Sequence, residues 1–215
     1  DRFGYCKTVD QSIYERNKET ADSENKYIIS CLNTDRIGIF TDSGKFHIVK
    51  VAELPYGKFR DKSFPIDNYC NYDSSQENIL CIDSLEHILS SSVLFVSKYG
   101  MSKIVDGTEY DVRTKSTAST KLNEDDQILY IKLINKEEKN HIVLQTKDRC
   151  FLKFTSTEIP TKKKNAVGVR CIRLNESDEI ENVYYISPKD ETTITYKEKE
   201  VELSKLKLSK RDVKG

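Results

Sequence analysis

The sequence contains no apolar run near the roughly 18 to 20 residues that a membrane span requires, and we expect no signal peptide. Its six cysteines form no C-x-x-C pair and lie mostly inside apolar, strand-like runs. These absences weigh against a membrane partner, a metal site and a disulfide framework. We therefore expect a cytoplasmic protein whose cysteines are reduced core residues.

Catalytic motifs are also missing. The histidines, His47, His87 and His141, are scattered, without the H-x-x-x-H or H-E-x-x-H spacing of a metal site. The sequence has no Gly-rich phosphate loop, no G-x-S-x-G elbow and no dinucleotide-binding fingerprint. Carboxylate pairs such as Asp125–Asp126 lie in polar stretches, where solvation explains them. We expect no catalytic site, no metal and no cofactor in this chain.

The chain has no net charge, because 35 Lys and Arg residues balance 35 Asp and Glu residues. A zero sum weighs against tight binding of nucleic acid, but it does not exclude an anionic partner if the charges are sorted onto one face. Apolar residues make up 37% and charged residues 33% of the chain. A core this lean favours many thin, half-buried strands over long helices.

What the sequence does contain is a repeat. The stretch Gln145–Leu174 reads as a strand, a turn, a second strand, a Thr-Pro break, a basic loop and a third strand. An earlier stretch, FTDSGKFHIVKVAELP, repeats its first half, with Thr41, Glu53 and Pro55 in register with Thr146, Glu158 and Pro160. The turn position recurs about every fifty residues, at Gly4, Gly44, Gly100, Arg149 and Lys199.

Hairpins at this period predict an all-β, propeller-like array of about four blades. We expect one domain over residues 1–215, with repeats at roughly 1–35, 36–90, 91–140 and 141–190, and with 191–215 completing a blade. Between the hairpins, the pattern predicts a loop over Tyr14–Asn25, strands over Tyr27–Leu32 and Ile66–Tyr72, and a helical turn over Leu85–Leu89. A hairpin cannot bury its apolar face alone, so neighbouring blades should stack around a centre.

Basic loops follow the hairpins at one phase of the repeat, and we therefore expect them on one edge of the disc. They contain Lys58, Arg60 and Lys62, then Arg113 and Lys115, then Lys162, Lys163 and Lys164 with Arg170 and Arg173. Lysine and arginine that neutralise phosphates release counterions, which gives affinity without sequence preference. The alternative for any single lysine is that it keeps a strand edge soluble.

The hairpin signature ending in E-I-P, followed by a basic loop and G-V-R-x-I-x-L, resembles the C-terminal DNA-binding domain of bacterial type IIA topoisomerase A subunits. The family includes gyrase and topoisomerase IV. The signature stands at Thr41–Pro55, in weaker form at Ser97–Glu109, and at Thr146–Pro160 with Gly168–Leu174. Gly4–Lys7 resembles the family's G-Y-x-K opening.

The resemblance implies a β-pinwheel, a disc whose blades exchange strands, with double-stranded DNA bending around a basic perimeter independently of its sequence. In the family, a tyrosine in the N-terminal part of the A subunit cleaves DNA, and the B subunit hydrolyses ATP with Mg²⁺. Those parts would be this chain's protein partners in an ATP-dependent type II topoisomerase. The candidate DNA-binding residues are Lys45, Lys58, Arg60, Lys62, Lys103, Arg113, Lys115, Arg149, Lys153, Lys162, Lys163, Lys164, Arg170 and Arg173.

Two features depart from the family pattern. The gyrase loop motif Q-R-R-G-G-R-G is absent, and Glu15–Ala21, which has no glycine, stands in the corresponding place. This favours a topoisomerase IV-like subunit or a divergent gyrase and leaves open whether the enzyme supercoils, relaxes or decatenates. The small number of repeats and the neutral charge imply a short, weak DNA path. The alternative function is a propeller-like platform for protein partners, which predicts an apolar or aromatic patch on one face.

Overall fold

A computed structural model describes residues 1 and 3–215. The chain is mainly β, with three short α-helices among the described residues: α1 (Gln11–Arg16), α2 (Lys18–Glu24) and α3 (Leu85–Ser90). None of the helices in this part of the chain is both long and apolar enough to cross a bilayer. The strands are β1 (Tyr5–Cys6), β2 (Arg36–Thr41), β3 (Lys45–Lys50), β4 (Phe64–Pro65), β5 (Ile79–Ser84), β6 (Ser92–Ser97), β7 (Met101–Asp106), β8 (Ser116–Ala118), β9 (Ile128–Ile134), β10 (His141–Thr146), β11 (Phe151–Thr155), β12 (Val169–Arg170), β13 (Ile180–Ile186), β14 (Thr193–Tyr196) and β15 (Lys199–Glu202).

The repeating unit is an antiparallel hairpin, seen as β2–β3, β6–β7, β10–β11 and β14–β15. Its turn needs a residue in the left-handed region, where glycine has no steric penalty. Gly44 and Gly100 have φ of 77° and 84°, and Arg149 takes the same position with φ of 69°. In the last hairpin, Glu198 occupies this position with φ of 64°. The prediction of Lys199 was therefore wrong by one residue, because Lys199 already begins β15.

Neighbouring repeats exchange strands. The three larger sheets have the orders β5-β2-β3-β8, β9-β6-β7-β12 and β13-β10-β11. The strands β8 and β12 each follow the next hairpin in the chain, yet they pair with the preceding one, and β4 pairs with β1 in the same way. Each outer strand is thus donated by the following repeat, and the predicted all-β, pinwheel-type architecture is confirmed.

The core fills the spaces between successive sheets. Side chains on a strand alternate between its two faces. On one face of β6, Val93 and Phe95 pack in a cluster that also contains Phe40 and Tyr110. The other face of β6 sends Leu94 and Val96 into a second cluster, with Ile142, Phe154 and Cys171. The first strands of three hairpins, β2, β6 and β10, are therefore buried on both faces, which explains their unbroken apolar runs. The strand β14 of the last hairpin is not buried in this way.

Some predicted elements between the hairpins were wrong, while the helical turn at Leu85–Leu89 is confirmed as α3, capped by the Ser84 hydroxyl. Tyr14–Asn25, predicted as a loop, lies mostly in α1 and α2. Side-chain contacts stabilise these helices in place of an apolar face, and in one of these contacts the Tyr14 hydroxyl donates to Asp22 at 2.9 Å. Tyr27–Leu32 forms no strand. Ile66–Tyr72 instead begins with a 3-10 turn at Ile66–Asn68 after Pro65, and the Asp67 carboxylate closes the following loop by accepting from Ser74.

Candidate nucleic-acid interface

The three basic loops lie at equivalent outer positions. At one edge of the sheets, β9 contacts both β5 and β13, whereas β8 and β12 form the opposite edge. The first basic loop (residues 58–62) leads towards β4, the second (113–115) leads into β8, and the third (162–166) precedes β12. Strand exchange therefore places all three loops along the outer edges of successive sheets.

The third basic loop is fastened through its backbone. The Lys103 ammonium donates to the carbonyl oxygens of Lys163, Lys164 and Ala166 at 3.0, 2.8 and 2.7 Å. The Glu109 carboxylate accepts from the Lys164 N–H at 2.8 Å. Burial lowers the pKa of Lys103 to about 8, although the charge of Glu109 opposes this shift. The loop backbone is thus fixed, while the Lys163 side chain remains 85% exposed.

The second basic loop is held by weaker contacts. Arg113 and Lys115 are exposed, and the Lys115 ammonium lies 3.9 Å from the Glu53 carboxylate. Directly after the loop, the Ser116 hydroxyl is 2.7 Å from Nδ1 of the buried His47. Burial lowers the pKa of His47, and the carboxylate of Glu77 partly offsets this effect. A largely neutral imidazole here takes the place that Lys103 has one repeat later.

The first basic loop resembles the third. Lys7 donates to the carbonyl oxygen of Asp61 at 2.8 Å and also to that of Phe59. The Asp61 carboxylate accepts from the Lys58 N–H at 2.7 Å. With the backbone held in this way, Lys58 and Arg60 are exposed to solvent, as is Lys62.

A fourth basic element, the C-terminal basic segment (residues 205–211), was missed in the sequence. Its Leu208 forms a parallel bridge with Lys153 at the edge of β11, as Thr161 does with Ile104 at the edge of β7. The segment follows the last hairpin at the same phase as the other loops, and this spacing was the available signal. Its basic residues are Lys205, Lys207, Lys210 and Arg211.

Two predicted DNA-contacting residues are buried, so their assignment to the contact surface was wrong. Lys103 is 1% exposed and Lys153 is 6% exposed. Each ammonium is instead bound to backbone oxygens, and that of Lys153 lies 2.6 Å from the carbonyl oxygen of Ser204. A lysine in a strand that the next repeat covers binds the backbone of the covering segment, because a buried charge must be hydrogen-bonded.

The other predicted residues are accessible to different degrees. Lys162 and Lys164 are partly buried, and Lys163 is exposed. Lys45 and Arg149 lie at hairpin turns, and Lys45 pairs with Ala118 of the donated strand β8. Arg170 and Arg173 are exposed near β12 but pair with Asp212, whose hydrogen bond and charge raise the pKa of Arg170. Residues 1 and 3–215 contain no cluster of His, Cys, Asp and Glu arranged to hold a metal ion.

The fold and the loop placement together define a strand-exchanged, propeller-like domain with basic outer loops. A family model described as the DNA gyrase C-terminal domain, beta-propeller, matches residues 91–135 and 140–187. These segments contain the hairpins β6–β7 and β10–β11 with their inner strands. The resemblance seen in the sequence is confirmed: these repeats match the family model, and the chain is similar to A subunits of type IIA topoisomerases.

Curated relatives and solved structures show the same resemblance. The chain is 24% identical over 203 residues to the DNA gyrase A protein of Lawsonia intracellularis, covering 89% of this chain and 24% of the relative. It is 28% identical over 147 residues to the DNA topoisomerase 4 A protein of Bacillus subtilis, covering 67% of this chain and 18% of the relative. The chain thus spans about a quarter or less of these relatives.

In three dimensions, the chain superposes on the crystal structure of a C-terminal domain of DNA topoisomerase IV with a TM-score of 0.86. The superposition covers 100% of this chain and 69% of that structure at 23% identity. A DNA gyrase A C-terminal domain gives a TM-score of 0.61 at 18% identity, covering 86% of this chain and 60% of that structure. At these identities the likeness concerns the fold.

Proposed function

We propose that this chain binds duplex DNA through its basic outer loops, without sequence preference, and bends it. The observation that carries the proposal is that each basic loop lies beside an outer strand donated by the next repeat. A duplex that follows the outer edges would meet one cluster of cations per repeat. Such contacts to phosphates give affinity independent of base sequence and strongly dependent on salt.

In this proposal the chain does no chemistry. It positions the transported DNA segment for strand passage in an ATP-dependent type IIA topoisomerase of the cytoplasm. Cleavage and rejoining of DNA would belong to the rest of the A subunit, and ATP hydrolysis with Mg²⁺ to the B subunit. The absence of the Q-R-R-G-G-R-G motif around Glu15–Ala21 favours a topoisomerase IV-like subunit or a divergent gyrase.

The test is a titration of the protein with linear duplexes of increasing length across a salt series. We expect affinity to grow with length up to a few helical turns and to fall steeply as salt rises. Two duplexes of unrelated sequence should bind equally. An affinity that is absent at low salt for every length would contradict the proposal.

The second candidate function is a platform for protein partners. It is favoured by exposed apolar side chains in the N-terminal part of the chain, among them Phe3, Leu32 and Tyr56. This function predicts no salt-dependent binding of duplex DNA. Failure of the duplex titration would therefore favour the platform.

A further inference from the structure

Two lysine ammonium groups are bound to the backbone of the basic loops. The Lys103 ammonium reaches three carbonyl oxygens of the third basic loop, all within 3.0 Å. The Lys7 ammonium reaches the carbonyl oxygens of Phe59 and Asp61 in the first basic loop. An ammonium group has three donors and no acceptor, so Lys103 is fully used by the loop it holds.

These two lysines occupy the same position in different repeats. Each stands three residues after a glycine with positive φ, Gly100 at 84° and Gly4 at 81°. Each also directly precedes a residue that bridges in parallel to the donated segment, Ile104 to Thr161 and Thr8 to Tyr56. The contact therefore recurs as a feature of the repeat.

Lys103 itself cannot reach a ligand, since it is 1% exposed. Burial disfavours its cation and lowers its pKa to about 8, an effect that the charge of Glu109 partly offsets, so the group is still mostly an ammonium at neutral pH. Glu109 also binds the N–H of Lys164 at 2.8 Å. The loop is thus held by a cation on its carbonyls and by an anion on one of its N–H groups.

We propose that Lys103 and Lys7 are positioning residues for the duplex-binding surface. Each binds the carbonyl oxygens of one basic loop, fixes its backbone in one conformation, and presents its cations to phosphates without touching DNA. The inference rests on the proposed function. A loop ordered before binding avoids the loss of conformational entropy on association, so its affinity is higher at the same number of contacts.

The test compares Lys103→Met with Lys163→Met, a variant of the same loop at an exposed position. Lys103→Met should raise amide hydrogen exchange in residues 162–167 and weaken duplex binding by about tenfold. Because the contacting lysines remain, the slope of log affinity against log salt should stay at the wild-type value. Lys163→Met should instead reduce the magnitude of that slope by about one and leave amide hydrogen exchange unchanged. The Lys7→Met variant should repeat the Lys103→Met result in residues 58–62.

The outcomes separate the possible roles. A salt slope reduced by Lys103→Met would mean direct phosphate contact and would overturn the positioning role, as would unchanged exchange or unchanged affinity. If Lys103→Met fails to fold by circular dichroism, Lys7→Met provides the same test at a half-buried site. If the wild-type protein binds no duplex, the proposed function is refuted and the positioning role with it. If the wild-type protein binds and Lys103→Met and Lys7→Met bind equally well, only the positioning role is refuted.

Discussion

The second and third basic loops occupy equivalent places one repeat apart, yet they are held differently. The third is bound through its backbone by the Lys103 ammonium and the Glu109 carboxylate, and its Lys163 ammonium also lies 3.5 Å from that carboxylate. The second accepts one backbone hydrogen bond from the Ile48 N–H to the Lys115 carbonyl oxygen at 2.9 Å. Its side-chain contacts are the hydroxyl of the adjacent Ser116 to His47 and a long ion pair to Glu53. Strand exchange therefore fixes where a loop lies, while single side chains in the neighbouring strand determine how firmly it is held.

The same comparison extends to the donated strands. The register places Ser116 opposite His47 in one repeat, and its continuation from Val169 opposite Ser102 places Gly168 opposite Lys103 in the next. Gly168 is required there by a close approach, because a Cβ atom would lie 2.4 Å from the carbonyl oxygen of Ser102. Where the donated residue has a side chain, the partner is an imidazole that binds it.

The largest expected effect comes from reversing the charge of the third basic loop. The triple variant Lys162→Glu, Lys163→Glu, Lys164→Glu should weaken duplex binding on the order of a hundredfold at low salt. The magnitude of the slope of log affinity against log salt should fall by about three. All sequences should be affected about equally. Equilibrium titration of unrelated duplexes measures both quantities.

The matched variant reverses the second basic loop, with Arg113→Glu and Lys115→Glu. It should reduce the magnitude of the slope of log affinity against log salt by about two, because it removes two exposed cations. Binding that survives the third-loop reversal but not the second would reverse the order of the two loops. Binding that survives both would place these loops off the DNA path.

The next effect separates the two donated strands by stability. Gly168→Val should lower the free energy of unfolding by about 3 kcal/mol, because the new side chain collides with the backbone of β7. Ser116→Ala at the equivalent position should lower it by only about 1 kcal/mol, the value of one hydrogen bond to His47. Urea midpoints of both variants test the difference, and equal losses would refute the close approach of β12.

The smallest effect is a pH dependence of stability that arises at His47 in β3, beside the second loop. Burial places the pKa of His47 in the fold below its ordinary value of 6.5, so its contribution to stability is complete above that pH and is lost as the pH falls. Burial also tends to raise the pKa of Glu77, but hydrogen bonds from Ser43 and Thr41 and the nearby His47 lower it overall. The carboxylate's contribution is therefore lost only below its ordinary value of 4.5.

We therefore expect the wild-type protein to lose stability as the pH falls below about 6.5. His47→Gln should reduce this loss, since glutamine has no proton to gain in this range. Urea unfolding at several pH values measures it, with Lys103→Met as the control, because the pKa of Lys103, about 8, lies outside the window. An equal loss in wild type and His47→Gln would show that another group titrates.

Much of the fold could be predicted because its signals are local. Each hairpin combines an apolar strand, a turn residue tolerant of positive φ and a second strand, all within about fifteen residues. The exchange of strands could not be predicted in this way, because β8 is three residues long and its Thr117 pairs with the distant Phe46. The helices at residues 11–24 were missed because they have no periodic apolar face.

For the candidate site, the sequence located the basic loops but not the roles of individual cations. Lys103 and Lys153 were assigned to the contact surface together with Lys163, although both stand inside strands, next to Ile104 and between Leu152 and Phe154. That position was the signal for burial. The C-terminal basic segment was overlooked because no strand comparable to β4, β8 or β12 follows it among the described residues.

The sequence by itself determined the repeat, the positions of the hairpins and the recurrence of basic residues after them, since these depend on neighbours within one repeat. Only the tertiary structure decided which cations face solvent and which hold a loop. That distinction depends on the strand and the loop donated by the following repeat, which cover Lys103 but leave Lys163 exposed.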